Sequence, residues 1–264
     1  MTAPFARLGA AMAAFLVALA IGIAGPASAS EDEAFQPQQS GTFDETQTQA
    51  IERIVRSYIL ENPDIIREAI QALRAREQQA AEERRQQALA AHKQSLKESD
   101  VAPVLGNPDG DVTIVEFFDY RCPYCRSVAD MVRETVEADG NVRLVMKEFP
   151  ILGSESLYAA RAALAAARQD GYEDFHFALM SAPDKVDSKA VLAIAAEQGL
   201  DIEQLQSDME DEAIATELRR NYRLAQALEI NGTPAFVVGD AVVPGALDRN
   251  RLESLIADAR RGEG

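Results

Sequence analysis

Cys122 and Cys125 are the only cysteines in a chain of 264 residues, and two residues separate them. Such a pair suits thiol–disulfide exchange: one sulfur attacks and the other resolves the mixed disulfide. Two other uses compete with it. A structural bridge over two residues closes a very short loop, and the loop-entropy argument gives it little stability. Structural zinc takes about four ligands. The chain adds only His92 and His176, neither at finger spacing. Redox chemistry is the preferred reading, with no metal site and no cofactor.

The flanking residues say how the pair is held. Val112 to Phe118 is apolar and β-branched and reads as a buried strand, with Glu116 inside it. Pro123 suits the first position of a helix. Val128, Met131, Val132 and Val136 then recur at helical spacing. Cys122 is therefore expected at a helix N-terminus, where unpaired N–H groups and the dipole favour a thiolate. Cys125 falls one turn further in.

The composition is ordinary for a globular protein, at 47% hydrophobic and 26% charged. The net charge of −17 argues against nucleic acid or an anionic membrane as partner. Residues 1–29 read as a signal peptide: Arg7, an apolar run from Leu8 to Ile23, and Ala27-Ser28-Ala29 as the cleavage site. An uncleaved anchor ranks second, since the run is short for a span of about 20 residues. Export would place the cysteines in an oxidising compartment.

Residues 30–43 read as a disordered lead and 44–100 as a helical segment. Ile51, Ile54, Val55, Tyr58 and Ile59 give a first helix. Asn62 is expected to cap a second that starts at Pro63 and carries Ile65, Ile66, Ala69, Ile70 and Leu73. Beyond Leu73 only Leu89 and Leu96 are large and apolar, a stripe too thin for a packed helix. The two short helices pack either on the catalytic domain or on copies of themselves, giving a homo-oligomer through 44–98.

After the turn Asn107-Pro-Asp-Gly110, the order is strand, helix and strand (Val142 to Phe149). A helical block follows over about 154–228, with Ser154 as its expected cap. Then come Ala235 to Gly239, Ala241 to Val243 and a last helix. This is α/β with a helical insertion. Phe118-Asp-Tyr-x-Cys-Pro-Tyr-Cys125 with Gly232-Thr-Pro-Ala-Phe236 resembles the Dsb-type (DsbA-like) thioredoxin-fold proteins of the bacterial periplasm, over 104–264. The helical segment resembles the ScsC-like branch, linked to copper-stress tolerance.

The resemblance implies a thioredoxin fold with an inserted helical domain and an N-terminal α-helical segment. It implies a periplasmic thiol:disulfide oxidoreductase acting on exported proteins with cysteines, and a membrane redox partner of unknown identity. Cys122 would be an exposed nucleophile and Cys125 the buried resolving thiol. Pro123 and Tyr124 would tune the redox poise. Glu116 matches the family's buried acid and would relay the Cys125 proton, against the plainer reading of an outward-facing strand residue. Pro234 would be cis and face the cysteines, with the Thr233 backbone pairing with substrate. His176 reads as packed or at the surface, and His92 as solvated. Cys-Pro-Tyr-Cys also occurs in glutaredoxins, but the export signal and long insertion argue against that fold. Oxidase and isomerase both remain open. So does a copper-stress metal-binding or chaperone module using the same thiols as soft Cu(I) ligands.

Overall fold

The computed structural model describes residues 43–262 apart from 100, 184 and 185. The expected leader 1–29 and all but residue 43 of the expected lead 30–43 lie outside the described residues. The chain divides into two compact units, Met1–Pro63 and Asp64–Gly264.

In the first unit, helix α1 (Glu45–Glu61) opens with a reciprocal capping box between Asp44 and Gln47. It ends at Asn62, whose backbone N–H and Nδ2 both donate to the Tyr58 carbonyl at 2.9 Å. That corrects the expected cap. With its side chain turned back onto α1, Asn62 is not free to open the next helix. Ile51, Ile54, Val55, Tyr58 and Leu60 are exposed.

The second unit begins with α2 (Asp64–Lys97). A five-stranded sheet follows, formed by β1 (Val104–Gly106), β2 (Val112–Phe118), β3 (Val142–Glu148), β4 (Ala235–Val238) and β5 (Ala241–Pro244). The strand order is β1-β3-β2-β4-β5. Only β2 and β3 run parallel. The helix α3 (Pro123–Asp139) makes the crossover between them. A helical insertion joins β3 to β4: α4 (Ser154–Ala166), α5 (Tyr172–Ser181), α6 (Ser188–Glu197), α7 (Ile202–Met209) and α8 (Glu212–Ala227). The last helix is α9 (Arg249–Arg261). Gly153, not Ser154, occupies the cap position of α4. The strand β1 escaped the sequence reading because three residues carry too little periodicity.

Both faces of the sheet are covered. Alternation sends Ile114, Phe118, Leu144, Met146 and Phe236 to one side, against α3, α9 and the insertion. It sends Val115, Phe117, Val145 and Val237 to the other side, against Leu224, Ala225 and Leu228. Leu89 and Leu96 of α2 are buried in that second layer. This corrects the reading of a helix too polar to pack. Two leucines, spaced seven residues apart on one face, are enough when a sheet already supplies the apolar surface.

Polar contacts complete the seat of α2. Arg220 donates to the carbonyls of Ser95 and Glu98 at 3.3 and 2.7 Å. Gln86 donates to the Asp240 carbonyl at 3.1 Å. Ser99 Oγ donates to Glu217 at 2.8 Å. Glu217 in turn accepts from the fully buried Lys147 at 3.0 Å. The N-terminal half of α2 differs: Ile65, Ile66, Ile70 and Leu73 remain exposed.

Candidate functional site

The site forms where β2 hands over to α3. Cys122 is the N-cap of α3 and Pro123 its first residue. Proline is tolerated there because that N–H would have no helical partner in any case. The Arg126 N–H donates to the Cys122 carbonyl at 3.1 Å, which closes the first turn. Cys122 and Cys125 are both free thiols. Tyr124, between them, is 67% exposed.

Cys122 was expected to be exposed, but only 5% of it meets solvent, and Cys125 meets none. The loop before β4 supplies the cover. Cys122 Sγ donates to the Thr233 carbonyl at 3.1 Å, and the Thr233–Pro234 peptide bond is cis. The loop is thus in direct contact with the sulfur nearer the surface.

Glu116 lies in β2 with its side chain on the α3 side of the sheet, by alternation with Ile114 and Phe118. It is buried, not outward-facing. Loss of water pushes its carboxyl up from 4.5 to about 8. The Cys125 thiol is pushed up too, first by burial and then by the charges of Glu116 and Cys122. Cys125 is therefore a poor thiolate unless its proton has somewhere to go. Glu116 is close enough for the two to feel each other's charge.

Several residues that hold this geometry were not found from the sequence. Asp119 is buried. Its Oδ1 accepts the Arg121 N–H at 2.8 Å. Its Oδ2 accepts the N–H groups of Ile151 and Leu152 at 2.9 and 3.0 Å. The Cys122 N–H donates to the Asp119 carbonyl at 3.0 Å. One side chain thus ties the cysteine loop to the segment after β3.

Next to it, Tyr120 and Tyr172 donate to Glu148 Oε1 at 3.0 and 3.2 Å. The Tyr120 hydroxyl also lies 3.0 Å from His176 Nδ1. All four side chains are buried. Burial lowers His176 to about 3, so it is neutral at physiological pH. The same burial raises Glu148 well above the carboxylate range. The signal that could have flagged this cluster is Lys147-Glu148, two charges closing a strand that after Arg143 is apolar. His92 is half-buried on α2. Among the described residues, no three His, Cys, Asp or Glu side chains group as metal ligands. No helix among them is long and apolar enough to cross a membrane.

Comparison with known proteins gives two family matches. A DSBA-like thioredoxin domain matches residues 113–257. A copper resistance protein ScsC N-terminal domain matches residues 47–80. The thiol:disulfide interchange protein DsbA of Bordetella parapertussis is 31% identical, over 52% of this chain and 68% of the relative. An Na(+)/H(+) antiporter NhaA of Salinispora tropica is 28% identical over 59% of this chain, which spans only 24% of that relative.

Among solved structures, a thioredoxin-like oxidoreductase from Silicibacter pomeroyi is 53% identical, with a TM-score of 0.63. It covers 64% of this chain and 98% of its own. A linker-deletion mutant of Proteus mirabilis ScsC is 25% identical, with a TM-score of 0.64, over 83% of this chain and 98% of its own.

Proposed function

Because the chain belongs to the DSBA-like thioredoxin domain family of thiol:disulfide oxidoreductases, we propose that it exchanges disulfides with exported proteins in the periplasm through Cys122 and Cys125. One observation carries this reading. The Cys122 sulfur stands at the start of α3, 3.1 Å from the carbonyl that precedes a cis-proline, with Cys125 buried one turn behind. In client oxidation, a client thiolate attacks Cys122 of the disulfide and Cys125 leaves. Glu116 gives Cys125 its proton. The second client thiol then displaces Cys122 and forms the client disulfide. The Thr233 backbone and Pro234 flank the client strand, and Pro123 and Tyr124 set the redox poise. Electrons leave through a membrane partner.

Cys125→Ser, whose Cys122 thiolate can attack a client disulfide and release one client thiol but has no partner to resolve the product, should therefore accumulate mixed disulfides with disulfide-bonded clients on non-reducing gels, and Cys122→Ser should not. Equal trapping by both variants would overturn the assignment of roles.

A second reading has its own support, the match to a copper resistance N-terminal domain. Two reduced thiols a turn apart could hold Cu(I), which favours soft sulfur donors. Stoichiometric Cu(I) uptake, abolished by either Cys→Ser change and accompanied by no client trapping, would favour that reading.

A further inference from the structure

A second feature of the catalytic unit is built from residues that the proposed exchange does not use. A groove of about 480 Å³ is lined by Phe149, Pro150, Leu157, Leu218 and Tyr222, with the guanidinium-bearing Arg161, Arg219 and Arg223 around it. Its walls come from α4, α8 and the segment after β3. Leu157 and Tyr222 are exposed, although Tyr222 stacks at a tilt on Phe149 with ring centres 5.9 Å apart.

Three arginines converging on one apolar groove are unexpected in a chain of net charge −17. Their partners do not account for them. Arg219 pairs with Glu212 at 2.5 Å. Arg161 donates to the Met209 carbonyl at 3.5 Å, its buried Nε has no hydrogen-bond partner, and Glu212 is near enough to feel its charge. Arg223 makes no ion pair among the described residues. Arg223 is thus left to meet an outside anion, with Arg161, which shares Glu212 with Arg219, beside the same groove.

The groove is also joined to the site. Phe149 and Pro150 line it. The next two residues, Ile151 and Leu152, are the pair whose N–H groups Asp119 holds. The Leu152 carbonyl accepts Arg121 of the cysteine loop at 3.4 Å. Two exposed apolar side chains, Ile151 and Leu152, therefore stand in the chain between the groove residues Phe149 and Pro150 and the carbonyl that Arg121 of the cysteine loop reaches.

We propose that this groove is a client subsite. It would take a segment of the client polypeptide, a few residues from the reacting cysteine, that carries a large apolar side chain next to a carboxylate. The apolar side chain fills the space between Phe149, Leu157 and Tyr222. The carboxylate meets Arg161 and Arg223. The inference rests on the proposed thiol exchange and names the clients that the site prefers.

The test uses the oxidised full-length mature protein and synthetic dithiol peptides that differ only at two neighbouring positions near one cysteine: Leu-Glu, Leu-Lys or Ser-Glu. Wild type should oxidise the Leu-Glu peptide with a kcat/KM on the order of fivefold above the other two, the scale of one or two solvent-screened ion pairs. Exposed Arg223 can be changed with little risk to folding, and Arg223→Glu should bring the Leu-Glu to Leu-Lys ratio to one or below. Equal rates for the three peptides in wild type, or an unchanged ratio in Arg223→Glu, would overturn the subsite. So would saturable binding of decanoate without peptide discrimination, which would make the groove a site for free amphipathic acids. Self-association abolished by Arg223→Glu would assign it to a second copy of the chain. Oxidation of dithiothreitol by wild type separates the two levels. If it is absent, the thiol-exchange reading and the subsite fall together. If it is present while the peptides react alike, only the subsite falls.

Discussion

At the scale of single residues, proton bookkeeping decides what the site can do. Glu116, raised by burial to about 8, carries a proton at neutral pH and can deliver it as Cys125 leaves. Glu116→Gln should slow that step on the order of a hundredfold at pH 6. The ratio of wild-type to variant rate should fall toward one as pH rises through about 8, because wild-type Glu116 then lacks the proton as well. Stopped-flow measurement of client oxidation across pH checks this, and a ratio independent of pH would remove Glu116 from the mechanism. Stability follows the same linkage. Between 4.5 and about 8 the folded chain binds more protons at Glu116 than the unfolded chain, so stability declines as pH rises through that window. Glu148 adds a slope of the same sign, so the difference between wild type and Glu116→Gln in urea unfolding isolates Glu116. The strand, the cysteine pair and the helix start at Pro123 were legible because their signals are local, whereas the place of Glu116 came from the family resemblance. Asp119 and Glu148 were not, because each works on residues some thirty positions away.

At the scale of elements, the buried Lys147–Glu217 pair decides how α2 is held. Lys147 belongs to β3, Glu217 to α8, and Ser99 follows α2. Removing Lys147 takes the 3.0 Å partner from a buried Glu217, which keeps only Ser99 and a longer contact to Arg220 at 3.8 Å. Lys147→Met should therefore cost about 3–5 kcal/mol in urea unfolding, and adding Glu217→Leu should recover most of it. Amide exchange over residues 89–97 should speed up in the single variant. Exchange confined to other elements would show that the pair does not seat α2. The strong helix propensity of α2 was readable, but its packing was not. Leu89 and Leu96 acquire meaning only against Val115, Phe117 and Val237, strand residues whose facing side no local pattern discloses.

At the scale of the whole molecule, α1 and the N-terminal half of α2 each leave apolar side chains in water: Ile54, Tyr58 and Leu60 on the first, Ile66, Ile70 and Leu73 on the second. A homo-oligomer would cover them and would set several Cys122 thiols around one client, which suits disulfide shuffling. Light scattering of the mature protein should give a mass above that of one chain, and Ile54→Glu with Ile70→Glu should reduce it to one. The same double variant should keep dithiol oxidation and lose isomerisation of a scrambled substrate. A monomeric wild type would end the assembly proposal. The alternation of strands and helices was visible along the chain, but strand order was not, since β1 is too short to announce itself and pairs with β3 across the whole of β2 and α3.

The closeness of Cys125 behind a nearly covered Cys122 has a consequence for survival under peroxide. A thiolate oxidised once becomes a sulfenic acid, and further oxidant carries it irreversibly to sulfinic acid. Here the sulfenic acid of Cys122 would meet the Cys125 thiol first. The two condense to the disulfide, the oxidised form that the proposed exchange calls for, with loss of one water. Dilute hydrogen peroxide should thus charge the wild type rather than damage it. Cys125→Ser, lacking the second sulfur, should gain two or three oxygen atoms at Cys122 by mass spectrometry.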